Sequence, residues 1–177
     1  MKAVLISINP EWCARIASGE KTIEVRKTRP RLQTPFKCHI YCTKDKHIAF
    51  MQNASGANLI ACMNAETAIP VGGFLGNGKV IGEFTCYKVT NLFSNSRFWL
   101  DEDDVLHTCL SAAEMRKYAN GANGLYGWHI SNLKIYDTPR ELREFHAVPN
   151  EVEVALKAKP KPVTRPPQSW RYVEELL

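Results

Sequence analysis

Ala3-Val4-Leu5-Ile6-Ser7-Ile8 is an aliphatic run broken only by Ser7, and it reads as a buried first strand. Asn9-Pro10-Glu11 follows with helix-start chemistry. Asn suits the N-cap, Pro the first helical position and Glu the first turn. Trp12 and Ile16 fall on one face at i,i+4, and Gly19 is placed as the stop, so a short helix is predicted over about 10–18. Lys21 to Lys27 alternates as a strand does, with Ile23 and Val25 on one side and Thr22, Glu24 and Arg26 on the other. Phe36 to Thr43 is a further strand. Lys37, His39 and Tyr41 share one face, and Cys38, Ile40 and Cys42 the other.

Residues 44–78 change character. Asn, Ala and Gly dominate with no sustained period, which predicts an irregular excursion or insertion. Lys79 to Leu92 is the longest strand signal, with Gly82 a candidate bulge or close-approach point. Asp101-Glu102-Asp103-Asp104 reads as an exposed helix start rather than a metal site, since carboxylates favour the positive end of a helix. Ser111-Ala112-Ala113-Glu114 fits a capping box and opens a helix to about Ala119, ended by Asn120-Gly121. Leu125–Ile130 and Leu133–Tyr136 predict a hairpin around Ser131-Asn132. Thr138-Pro139-Arg140-Glu141 predicts a short helix to about Phe145. From 148 the chain becomes proline-rich and is expected to run extended, ending in Trp170-Arg171-Tyr172-Val173, apolar enough to dock back on the body. Several strands with short helices between, and no βαβ alternation, indicate a mixed α+β or small-barrel fold.

The length, 177 residues, suits one domain with a tail. Hydrophobic residues make up 45% and charged residues 23%, which argues against wholesale disorder. No apolar run approaches the roughly 20 residues of a membrane span, and no signal-peptide pattern opens the chain. A non-membrane, cytoplasmic protein is expected. The six cysteines are scattered without a CxxC, so free buried thiols are expected. Cys38, His39 and Cys42 are close in sequence, but on a strand His39 points away from both thiols, so no metal site is expected. No cofactor signature occurs.

Charge is uneven. Net charge is +5, yet residues 1–50 hold ten basic and four acidic side chains. The excess concentrates at Lys21, Arg26, Lys27, Arg29, Arg31, Lys37, Lys44 and Lys46. Such clustering suits an anionic partner such as RNA or a nucleotide, or else a solvated basic face. Within it, Lys21 stands where the helix-to-strand turn opens. Glu24 and Arg26 are two apart on one strand face, roughly 6–7 Å between Cα atoms. Lys21 can hold a phosphate or act as a base, Arg26 can bind phosphate by its planar fork, and Glu24 can accept from a base or activate water. The alternatives are an exposed turn lysine and a structural ion pair. Trp12 and Tyr41 can stack on a base or serve only packing. Trp128 and His129 point opposite ways, so at most one of them faces a shared cleft.

Gly19-Glu20-Lys21-Thr22-Ile23-Glu24-Val25-Arg26 resembles the G-x-K-x-x-E-x-R motif of ASCH domains (activating-signal-cointegrator homology), members of the PUA-like superfamily. I-S-I-N-P-E-W before it, G-K-V-I-G-E-F after it and Y-G-W-H-I-S-N-L-K-I-Y later follow in the family's order. The closing R-P-P-Q-S-W-R-Y-V is similar to the tails of ASCH proteins from bacterial phages and prophages. The resemblance covers about residues 1–145.

The resemblance implies a small PUA-like β-barrel with short helices packed around it. The domain would span 1–146, and 147–177 would be a proline-rich extension docking back on the barrel. It implies a cleft between the first helix and the barrel, lined by the motif. PUA-like relatives bind RNA or modified bases, some ASCH members are ribonucleases, and some small ones hydrolyse the amide of acetylated cytidine. In the latter a threonine nucleophile stands where this chain has Glu24. A carboxylate there can act as a base on water but not as that nucleophile, and Glu83 and Glu114 are candidates for the second glutamate of those enzymes.

Three expectations follow. The first is an RNA- or nucleotide-binding protein whose basic cleft is formed by Trp12, Lys21, Glu24, Arg26 and Tyr41. The second is a hydrolase on RNA or a modified nucleoside with Lys21 and Glu24 catalytic. The third is a protein-interaction module whose proline-rich tail recruits a partner.

Overall fold

The structure is a computed structural model that describes residues 1–54, 57–64, 72–94, 97–98 and 102–175. The first strand, β1 (Lys2–Ile8), is aliphatic on both faces because both faces are covered. Val4, Ile6 and Ile8 enter one core with Cys13, Ile16, Cys38, Ile40, Phe84 and Trp128. Ala3 and Leu5 enter a second, with Tyr41, Val80, Phe145, Val163 and Val173.

α1 (Pro10–Ala17) follows with Pro at its first turn, buries Cys13 and Ile16, and carries the chain over to β2 (Ile23–Arg26). β3 (Phe36–Cys42) then returns to pair parallel with β1. This connection has the length that a parallel pair requires.

The segment expected to be irregular at 44–78 instead holds β4 (His47–Ala54) and β5 (Ala57–Asn64), an antiparallel pair, with the short β6 (Phe74–Leu75) on the far side of β4. Ala49, Phe50, Met51 and Ile60 of this second sheet are buried. The Asn- and Ala-rich composition hid the strand period. The Asn64 end leads into residues outside the described set.

β7 (Val80–Ser94) pairs with β3, with β9 (Gly124–Arg140) and with the short β8 (Arg97–Phe98). The register slips beside Gly82, where a Cβ would lie 2.6 Å from the Lys134 carbonyl oxygen, so the expected bulge is present. The hairpin expected at Ser131-Asn132 is not formed. β9 runs straight through, with Asn132 at φ +47° and Ser131 Oγ donating to the Thr85 carbonyl at 3.1 Å. A residue that tolerates the left-handed region serves a bulge as well as a turn, and the long β7 partner selects the bulge. β9 also absorbs Thr138–Arg140, so the expected helix shrinks to a 3-10 turn at Leu142–Glu144, capped by Glu141.

α2 (Glu102–Thr108) begins in the acidic run, and α3 (Ala112–Ala119) has the Ser111–Glu114 capping box and a left-handed Asn120 C-cap. In the tail, α4 (Glu151–Ala155) is capped by Asn150, a helix where extended chain was expected. The segment after it lies on the body through Val163, which is buried and bonded to the Phe145 carbonyl at 2.7 Å. β10 (Trp170–Glu174) pairs antiparallel with β1.

The main sheet therefore runs β10-β1-β3-β7-β9-β2. Among the described residues no ladder joins β2 back to β1 or β10, so the strands form an open path rather than the closed barrel expected. The fold is mixed α+β, mostly strands with short helices.

Candidate functional site

The unclosed gap between β1 and β2 is occupied by a cavity. Gly19 at φ +79° ends α1 and turns the chain back, and the Lys21 amide is then pinned to the Arg15 carbonyl at 3.0 Å. From the other side, the end of α2 holds the same stretch. The Thr22 amide donates to the His107 carbonyl at 3.1 Å, and the Cys109 thiol to the Glu20 carbonyl. The motif enters β2 clamped between two helices.

Its three charged side chains are nearly fully buried, at 2%, 5% and 7% exposure for Lys21, Glu24 and Arg26. Lys21 Nζ donates to the Thr108 carbonyl at 2.7 Å, at the negative end of α2, and lies 3.4 Å from Glu24 Oε2. Arg26 Nη2 is 2.8 Å from Glu24 Oε1 and donates to the Ser7 carbonyl at 2.6 Å. Arg26 Nη1 reaches Ser169 Oγ at 3.4 Å. The face expected to be polar is thus covered. Two buried cations share one carboxylate, and Arg26 Nε is buried without a hydrogen-bond partner.

The cavity measures about 330 Å³. Its lining includes Ser7 and Ile8 of β1, Asn9 and Trp12 at α1, Lys21, Glu24 and Arg26, Thr43 beyond β3, Leu110 and Tyr118 at α3, and Gln168 of the tail. Lys21 Nζ stands 5.2 Å from the Trp12 ring centre and Arg15 Cζ 5.4 Å from it. Asn9 makes no side-chain capping bond to its helix, and its Oδ1 accepts from Thr43 Oγ1 at 2.9 Å. Partial burial raises the pKa of the Tyr118 phenol, the Arg26 cation opposes that, and Glu24 adds to it. The volume is in the range of small-molecule sites, about 300–1,000 Å³.

Four of the five residues expected in a ligand cleft, Trp12, Lys21, Glu24 and Arg26, meet around this cavity. Tyr41 does not line it. It is buried in the second core against Phe145, Val163 and Val173, on the other face of β3. His39, on that same face, is fully buried with Nδ1 3.2 Å from the Tyr136 hydroxyl and 3.5 Å from Glu83. This also places Glu83 away from the cavity. Glu114 is spent on the α3 capping box. Trp128 is core, and His129 bonds Thr90 Oγ1 at 3.0 Å. Tyr118, Thr108 and Gln168 were missed. They join the motif from about 90 to 145 residues away, and only the capped α3 gave a local hint of where Tyr118 would lie.

The described cysteines are all free thiols, and no cluster of three potential metal ligands occurs among the described residues. No helix of the described residues is long and apolar enough to cross a membrane.

The sequence matches no family model, and no curated protein matches it. Solved structures do. The crystal structure of ASCH from Zymomonas mobilis superposes with a TM-score of 0.58 at 18% identity, covering 98% of this chain and 88% of that one. A tyrosine-to-phenylalanine variant of that protein gives 0.55 at 17% identity, covering 99% and 92%, and a serine-to-alanine variant 0.55 at 16%, covering 98% and 89%. At these identities the likeness is one of architecture, and along nearly its whole length the chain has the fold of the Zymomonas mobilis ASCH protein.

Proposed function

We propose that this is an ASCH-type protein that binds a nucleotide, free or as one residue of an RNA strand, in the cavity between β1 and β2. The observation that carries the reading is the buried charge balance at the motif. Two cations share one carboxylate, all three side chains line the cavity, and Arg26 Nε is buried without a hydrogen-bond partner. A buried, under-compensated cation is costly, and a ligand bringing negative charge or carbonyl oxygens relieves that cost. Trp12 and Tyr118 supply aromatic walls, and Asn9 supplies an amide not used for capping.

The test is calorimetric titration of nucleosides and ribonucleoside 5′-monophosphates at about 50 mM and about 200 mM salt. Wild type is run beside Tyr118→Ala and Arg26→Lys, the second of which keeps the charge and loses the planar fork. Salt-sensitive binding weakened by both substitutions supports the reading. Binding indifferent to both removes it.

The Lys21–Glu24 contact of 3.4 Å favours a second reading, a hydrolase in which Glu24 takes a proton from water beside the lysine cation. Any ligand found is therefore also assayed for strand cleavage or release of an amide acyl group. Turnover that survives Glu24→Gln rules that reading out. The interaction-module reading has less behind it, because Val163 and Trp170–Glu174 pack on the protein's own sheet.

A further inference from the structure

Outside the cavity, a second surface gathers uncompensated positive charge beside aromatic rings. Residues 25–44 contain six Lys or Arg and no Asp or Glu. In the loop after β2, Lys27, Arg29 and Arg31 are exposed and make no ion pair among the described residues. Two of them lie over tyrosine rings. Lys27 Nζ is 5.3 Å from the centre of Tyr118, and Arg29 Cζ is 6.0 Å from that of Tyr126. Tyr118 is also a cavity wall, so the first pair stands at the boundary of the site.

Beyond it the loop borders an open groove of about 820 Å³, with Arg29, Arg31, Gln33 and Thr34 on its polar side and no acidic residue among the described residues of its lining. The loop is held in place from behind. The Arg31 amide donates to the Tyr172 hydroxyl at 2.7 Å, and Trp170 Nε1 donates to Thr28 Oγ1 at 2.9 Å. Trp170 and Tyr172 pack edge to face at 5.4 Å between centres. Cation–ring pairs and guanidinium groups therefore lead in sequence from the cavity wall into a groove.

A protein that tracks a single strand needs this combination, positive charge for phosphates and ring faces for unstacked bases. A duplex offers no such bases, and a nucleotide entering the cavity must first leave its stack. We propose that the Arg29/Arg31 groove is a second binding surface, which holds the sugar–phosphate backbone of a single-stranded nucleic acid while one nucleotide of that strand occupies the cavity. The proposal rests on the nucleotide reading of the cavity and adds to it the class of ligand, a strand rather than a free nucleotide.

The experiment compares ribonucleoside 5′-monophosphates with a mixed-sequence single-stranded RNA of about eight nucleotides, by calorimetry and fluorescence anisotropy. Wild type is measured beside the double variant Arg29→Ala/Arg31→Ala, with its melting temperature checked, and beside Arg29→Lys/Arg31→Lys, which retains charge. The octamer is expected to bind roughly 30-fold or more tighter than the monophosphates. The alanine variant should lose most of that gain, lower the salt slope by about 1.4 and leave monophosphate binding unchanged. An octamer no tighter than a monophosphate overturns the groove, and so does a gain that survives the double variant. Equal binding of a duplex, or of polyglutamate of the same charge, overturns the single-strand assignment. Octamer binding that depends on the arginines, with no monophosphate binding and no effect of Tyr118→Ala, upholds the groove and instead removes the cavity reading.

Discussion

Arg26 Nη2 donates to the main-chain carbonyl of Ser7 at 2.6 Å, from the last strand of the sheet to the strand next to its other end. A side chain thus spans a gap that no backbone ladder closes. The same guanidinium reaches Glu24 and Ser169, so the motif, β1 and the tail meet at one group. The cavity lies beside this contact, with Ser7 of β1 and Arg26 of β2 both in its lining.

Removing the carboxylate from this seam should be costly. Glu24→Gln leaves Lys21 and Arg26 buried without a counter-charge, and the expected loss is about 3–5 kcal/mol of folding stability. Urea unfolding measures it. A loss within about 0.5 kcal/mol, the range typical of surface changes, would mean that the three groups are not coupled as described.

Tyr118 is partly exposed, so Tyr118→Ala should change stability little. As a wall it should weaken nucleotide binding by about 1–3 kcal/mol. The two effects are separated by a melting curve and a titration on one sample.

The sequence was most informative where a short segment carries the chemistry. Lys21, Glu24 and Arg26 stand at fixed spacing on one turn and strand, and Trp12 on the adjoining helix, so they were legible together. Tyr41 was not. Alternation along β3 correctly separates Tyr41 from Cys42, but which face meets the site depends on the tail. Phe145, Val163 and Val173 cover the Tyr41 face, from more than 100 residues away. Glu24 and Arg26 were expected on a polar face for a similar reason. Val25, Leu92, Met115, Ala119 and Leu125 form a third small core that brings α3 over that end of the sheet. Ser131-Asn132 shows the limit of local turn chemistry, since the same residues give a turn or a bulge according to the partner strand.

Stability should fall on mild acidification because of His39. Burial lowers its pKa to about 4, with Glu83 opposing and Lys37 and Arg140 adding to the shift. The unfolded chain takes up this proton near the ordinary value of 6.5, whereas the folded chain resists until about 4. Stability conferred by the neutral ring is therefore present above pH 6.5 and is lost progressively as pH falls towards 4, by up to about 3 kcal/mol. Urea midpoints across that window should show the slope, and His39→Gln should flatten it.

Thiol reactivity should divide the cysteines. Burial raises the Cys13 thiol pKa, a hydrogen bond with Cys42 adds to this, and burial raises that of Cys38 as well. Burial takes the Cys86 thiol up to about 12. Iodoacetamide at mildly alkaline pH should label the part-exposed Cys109 first and leave Cys13, Cys38 and Cys86 intact until denaturant is added. Peptide mass spectrometry reads the order, and early labelling of Cys13 would contradict the packing of α1 on the sheet.

A nucleotide received by the cavity at the motif would touch Trp12, Thr43 and Gln168 together. The most direct test is a two-dimensional NMR titration of labelled protein with ribonucleoside monophosphates, following the tryptophan side-chain N–H signals. The Trp12 signal and the amides of Gln168 and Thr43 are expected to shift together and saturably, while the fully buried Trp128 signal stays in place. No saturable shift with any monophosphate, or shifts that leave Trp12 untouched, would contradict it.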